Sequence, residues 1–128
     1  MSILERIASP AGEIGPDADP DAVDEVAHVL SNARRRRVIE VLVDRLPSSE
    51  PGIGIGELAE CLAEREYGPG YSSQDRKRLY IGLYQVHLDA LDAAGVIEWD
   101  PRVDRVTIGE RFDDYVVAMD ALEGVAEG

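Results

Sequence analysis

The chain has 128 residues, with 26 Asp or Glu against 13 Lys or Arg and a net charge of -13. That length suits one domain with one modest core, and a 45% hydrophobic content lies in the globular range. No apolar run approaches the roughly 20 residues that span a bilayer, and an acid at Glu5 with no basic start argues against a secretory signal. The expectation is a cytoplasmic protein with no membrane partner.

Lys77 is the sole lysine, so arginine supplies the other bases. Strong net negative charge keeps a chain soluble through self-repulsion. With arginine as almost the only base, it fits adaptation to a cytoplasm of very high salt; the plainer reading is an acidic protein that avoids nucleic acid. Cys61 stands alone, which excludes an internal disulfide and a multi-cysteine metal site. Its Ala/Leu-rich surroundings predict a packed or half-packed thiol.

In chain order, residues 1–20 read as a flexible acidic lead punctuated by Pro10, Gly12, Gly15, Pro16 and Pro20. A helix is predicted from about Asp21 to Leu30, with Val23, Val26, Val29 and Leu30 at helical spacing and acids in its first turns. Ser31 or Asn32 caps a second helix carrying the stripe Val38, Ile39, Leu42, Val43 and Leu46, which Pro47 ends. After a turn over 48–52, Ile53-Gly54-Ile55 is a very short candidate strand. A third helix follows from about Glu57 to Tyr67, with Leu58, Ala59, Leu62 and Ala63 inward. Ser72 or Ser73 caps a long fourth helix that reaches about Ala94, where Gly95 supplies the left-handed terminator. Val96–Trp99 and Arg105–Ile108 then flank a Pro/Asp turn and predict a hairpin. A last helix, about Glu110 to Leu122, places Phe112, Tyr115, Val116, Met119 and Leu122 in one stripe. The predicted class is α+β, mostly helical: a winged helix-turn-helix of three helices and a β-hairpin wing over 21–109, with an additional helix at each end. Residues 110–128 form a C-terminal helix and tail.

The segment His87-Leu88-Asp89-Ala90-Leu91-Asp92-Ala93-Ala94-Gly95-Val96-Ile97 resembles the H-L-x-x-L-x-x-x-G-[LV]-[IV] signature of winged-helix transcriptional regulators. Leu30 to Ile39, Glu57-Leu58-Ala59 with Ala63 to Glu66, and Arg76 to Leu88 resemble a family of haloarchaeal winged-helix domains of unknown function. The likeness covers roughly residues 24–108. It implies a regulatory role and supports the high-salt reading, but implies no ligand.

For such a domain the expected partner is double-stranded DNA, read in the major groove by the fourth helix. If Tyr80, Leu83, Tyr84, His87, Leu88 and Leu91 face the core, Gln74, Arg78 and Gln85 point outward. If Leu79, Leu83 and Val86 do, Lys77 joins them. Gln suits adenine and Arg suits guanine; the alternative is a solvated helix face, since acids on this helix equal its bases in number. Arg34 and Arg37 are candidates for phosphate contact from the arginine run 34–37, the alternative being stems that cover the core edge with Arg36 paired to Glu40. Arg102 and Arg105 either grip DNA from the wing or pair with Asp100 and Asp104. His87 is expected to be packed and hydrogen-bonded. The stripe Phe112, Tyr115, Val116, Met119 and Leu122 either forms a homodimer or folds back on its own domain, the dimer being preferred because it matches two-fold half-sites. No HExxH, Gly-rich phosphate loop, Cys/His cluster or nucleophile turn is present, so no catalytic residue, metal or cofactor is expected. The rival function is a winged helix that binds protein instead of DNA.

Overall fold

The structure, a computed structural model, describes residues 20–46 and 52–127. The lead over 1–19, Pro47 and the turn residues 48–51 lie outside the described residues, as does the side chain of Val23. The elements run α1 (Pro20–Leu30), α2 (Ala33–Arg45), β1 (Ile53–Gly54), α3 (Ile55–Tyr67), α4 (Ser73–Gly82), a π-helical turn (Leu83–His87), α5 (Leu88–Ala93), β2 (Ile97–Asp100), β3 (Arg105–Ile108) and α6 (Phe112–Glu127). The order is the one read from the sequence: an α+β chain, mostly helical, with a small antiparallel sheet. That arrangement is compatible with a winged helix.

Local chemistry sets the boundaries. Asn32 caps α2, its Oδ1 accepting from the Arg34 and Arg35 amides at 2.9 and 3.2 Å. Ser72 caps α4 in a reciprocal box: its hydroxyl accepts from the Asp75 amide at 3.0 Å, and the Asp75 carboxylate accepts from the Ser72 amide at 3.2 Å. Gly95, at φ 79°, closes α5. The Val96 amide donates to the Leu91 carbonyl and the Gly95 amide to that of Asp92, each at 3.0 Å. This Schellman closure leads straight into the hairpin. In the hairpin turn the Val103 amide donates to Asp100, and Asp104 takes the left-handed conformation at φ 55°, which Asp tolerates better than most residues.

The three strands are ordered β1–β3–β2. Ile97 pairs with Ile108 and Trp99 with Val106, while the two-residue β1 joins β3 through Ile53 opposite Val106. Ile55, expected in the strand, instead begins α3. The core gathers Val38, Ile39 and Leu42 of α2, Leu58 and Leu62 of α3, Leu79, Leu83, Leu88 and Leu91 of the long helix, and Ile53, Ile97 and Val106 of the sheet.

From Ser73 to Ala93 the chain is one continuous helix interrupted in register. The buried leucines at 79, 83, 88 and 91 are spaced four, five and three apart. A step of five does not fit an α-helix, and the backbone answers it with a π turn in which the Leu88 amide donates to the Leu83 carbonyl. Both sequence-based phases are therefore half right. Leu79 and Leu83 face inward before the turn, and His87, Leu88 and Leu91 after it, while Tyr84 and Val86, each assigned to the core by one phase, are 45% and 55% exposed.

The C-terminal helix corrects another expectation. Phe112, Tyr115 and Met119 are buried within the chain itself, and Val116 packs half-buried on the same core. The stripe preferred as a dimer seam is turned inward, because the Schellman turn and the Gly95 carbonyl, which accepts from the Arg111 amide, fold α6 back. Of its five residues only Leu122 remains largely exposed. No helix among the described residues is long and apolar enough to cross a membrane.

Candidate nucleic-acid interface

Gln74, Lys77, Arg78 and Gln85 all lie exposed on the long helix. Gln74, Arg78, Ile81 and Gln85 follow one another at steps of four, three and four, a single outward stripe roughly 16 Å long at 1.5 Å per residue. Ile81 was not singled out by the sequence, although its place between Arg78 and Gln85 in that stripe was readable. Beside it runs a row of aromatic rings: Tyr80 stacks on Tyr84 with centroids 6.4 Å apart, and Tyr84 meets Trp99 of the hairpin edge-on at 5.4 Å. The Asp92 carboxylate accepts from the Trp99 amide at 3.2 Å, fastening the helix end to the hairpin.

The other candidate cations are engaged elsewhere. Arg34 donates from Nε and Nη2 to the two oxygens of Glu66 at 3.0 and 2.9 Å, and Arg37 approaches the same carboxylate at 3.9 Å. Glu66, whose side chain is 10% exposed, thus gathers the start of α2 onto the end of α3. The sequence reading missed this hub, since nothing local links positions 32 residues apart. Hydrogen bonds from Arg34 hold the Glu66 carboxyl below its ordinary range despite burial. Arg35 is buried, with Nη2 toward the His28 carbonyl at 3.5 Å. Arg36 donates to the Leu30 carbonyl at 2.6 Å instead of pairing with Glu40, which lies 3.7 Å from Arg65. On the hairpin Arg102 folds onto Asp100, with Nε and Nη2 both at 3.1 Å. Arg105 reaches the Gly52 carbonyl at 3.0 Å rather than Asp104. Arg45 pairs with Glu57, Arg65 with Asp44, Arg76 with Glu60 and Arg111 with Glu25.

Among the described residues, then, Lys77 and Arg78 are the Lys and Arg side chains with neither an ion pair nor a hydrogen bond. They sit side by side near the start of the exposed helix.

His87 is buried as expected, but its Nδ1 has no hydrogen-bond partner, which corrects the second half of that expectation. Burial first, then the neighbouring Arg35 and Arg34, press its pKa below the ordinary histidine value, with Glu66 opposing. That environment favours the neutral ring. Cys61 is half-buried, and burial raises its thiol pKa, away from the reactive thiolate. No cluster of His, Cys, Asp and Glu among the described residues has the arrangement to hold a metal ion.

Residues 27–107 match the family described as a domain of unknown function, DUF7344. The chain belongs to that family. No curated protein and no solved structure matches it. The DUF7344 span runs from within α1 to the end of the hairpin, so it contains the exposed helix, its two unpaired cations and the Glu66 hub. Helix α6 lies beyond it.

Proposed function

We propose that this DUF7344 protein is a non-enzymatic, winged-helix DNA-binding regulator that reads duplex DNA with the helix from Ser73 to Ala93, the hairpin Ile97–Ile108 lying alongside. The observation that carries this reading is the selective freedom of Lys77 and Arg78, where every other described cation is spent inside the protein. On the same face Gln74 and Gln85 offer amides of the kind that pair with adenine, and Arg78 offers the fork that pairs with guanine. An α-helix fits the major groove, and Gln74, Arg78, Ile81 and Gln85 are all exposed along the outer stripe of the long helix.

The net charge of -13 fits this reading if the chain works in a haloarchaeal cytoplasm of molar salt. There the counterion-release contribution to DNA affinity falls steeply, so bulk positive charge contributes little and base contacts and shape must carry more. The test is selection from a random duplex pool by the folded chain in molar potassium chloride. An enriched motif whose selectivity is lost in Arg78→Ala and Gln85→Ala supports the reading, and a palindromic motif would in addition report two copies on DNA. A folded chain that enriches nothing refutes it. A second reading, a protein-binding winged helix, is favoured by the exposed Ile81, Tyr84 and Val86 on the same helix.

A further inference from the structure

Ile81 is 42% exposed in the middle of an otherwise polar stripe. It lines a shallow groove with Tyr80, Tyr84 and Gln85, and Gln85 follows it by four residues, about one turn along the helix. An aliphatic side chain next to a carboxamide complements a ligand edge that presents a methyl group beside one hydrogen-bond donor and one acceptor. In the major groove an A·T pair has that edge: the thymine C5 methyl, with adenine N6 donating and N7 accepting. A G·C pair lacks the methyl and shows two acceptors on guanine, for which Arg78 is the matching donor. The unpaired charge of Lys77 complements the phosphates that border the same groove.

We infer that Ile81 and Gln85 act together as the reader of an A·T pair, Gln85 bonding the adenine and Ile81 covering the thymine methyl. The inference rests on the DNA-binding reading and assigns a base-pair class to it. Burying one methyl group is worth about a fourfold change in affinity.

The experiment uses two random duplex pools, one made with thymine and one with uracil, which differs only by the missing methyl. The full chain selects from each in molar potassium chloride, and the enriched thymine duplex is remade with uracil for direct titration. The expected result is an A·T-containing motif bound about fourfold more weakly for each contacted thymine replaced by uracil. Ile81→Ala, with unfolding like the parent, should bind both forms equally, and Ile81→Val should keep the preference. Equal binding of thymine and uracil duplexes by the unmodified chain, or a thymine preference that survives Ile81→Ala, overturns the inference while leaving DNA binding intact. Enrichment of nothing from either pool overturns the DNA-binding reading and this inference with it.

Discussion

Replacing Glu66 with Gln tests whether the arginine run is a structural device. The substitution keeps the volume and one acceptor oxygen but removes the charge that Arg34 and Arg37 share. Hydrogen bonds to charged groups contribute about 1.5–3 kcal/mol each. One-third exposure of the Arg34 side chain discounts that, leaving roughly 1.5 kcal/mol for the substitution. For a chain of this size the melting temperature should fall by about 5 °C. The pH dependence carries more information than the shift. The depressed pKa of Glu66 means its contribution is complete above the unfolded carboxyl value of about 4.3 and is lost as pH falls through the folded value. His87 has a lowered pKa in the folded state, so both proteins lose stability as pH falls below about 6.5. Without Glu66 opposing that shift, the variant loses more. The gap between parent and Glu66→Gln should therefore widen from about pH 6.5 to 5 and close below about 4. Thermal unfolding followed by circular dichroism in molar potassium chloride gives both curves, and a partly buried pair should survive that salt. Equal melting temperatures at pH 7, or a gap that is flat from pH 3 to 8, would refute the hub.

Lys77→Ala should leave unfolding unchanged and reduce the slope of log affinity against log salt by about 1 on any duplex the parent binds; Arg34→Ala should instead lower the melting temperature, and the reverse pattern would exchange their roles. Tyr115 is buried with no partner for its hydroxyl, and burial pushes its pKa up to about 12. Tyr115→Phe should thus be neutral or stabilising by up to about 1 kcal/mol at pH 7. It should also abolish the loss of stability that the parent shows as pH rises above the unfolded tyrosine value of about 10; a cost above about 2 kcal/mol would point to a hydrogen bond on that hydroxyl. Deleting the exposed Val86 takes one residue out of the π turn and restores a four-residue step between Leu83 and the next leucine, so the helix should stay intact, with stability within about 1.5 kcal/mol. Loss of cooperative unfolding in that deletion would show that the π turn is required.

Element order, caps and the hairpin were readable because each depends on neighbours in the chain: Asn32 and Ser72 on the amides two or three residues on, Gly95 on the helix just ended. The phase of the long helix was not readable in the same way. Its two competing stripes were both real, one on each side of Leu83, and an α-period applied throughout cannot join them. The π turn joins them because burying Leu83 and Leu88 together outweighs one irregular backbone bond; each buried leucine contributes about 1.5–3 kcal/mol. The fate of the arginines was hidden for another reason. Arg34 finds Glu66 and Arg36 finds the Leu30 carbonyl, and only the tertiary packing of α2 against α3 brings Arg34 and Glu66 together. The wide stripe of α6 looked like a seam for a second copy because a sequence shows that a face is apolar but not what covers it.

Counting charges along the long helix gives a balance of acids and bases, which by itself argues against DNA. The structure changes the weight of that count through position. Asp75 is held in the capping box of the first turn, where its charge suits the positive end of the helix dipole. Asp92 is fixed at the far end by the Trp99 amide. Asp75 and Asp92 are anchored in structural roles at the ends of the helix, Asp89 stays exposed a turn beyond Gln85, and Arg76 is drawn off toward Glu60 on α3. In the first half of the helix Lys77 and Arg78 remain free, with uncharged Gln74, Ile81 and Gln85 in the stripe around them and exposed Asp89 beyond it. A surface that is acidic on average can in this way keep one small face where positive charge is mobile and amides are unspent. Salt screens charges over about 3 Å at 1 M, so on the proposed DNA-binding reading the net charge counts for less than that local face in molar salt.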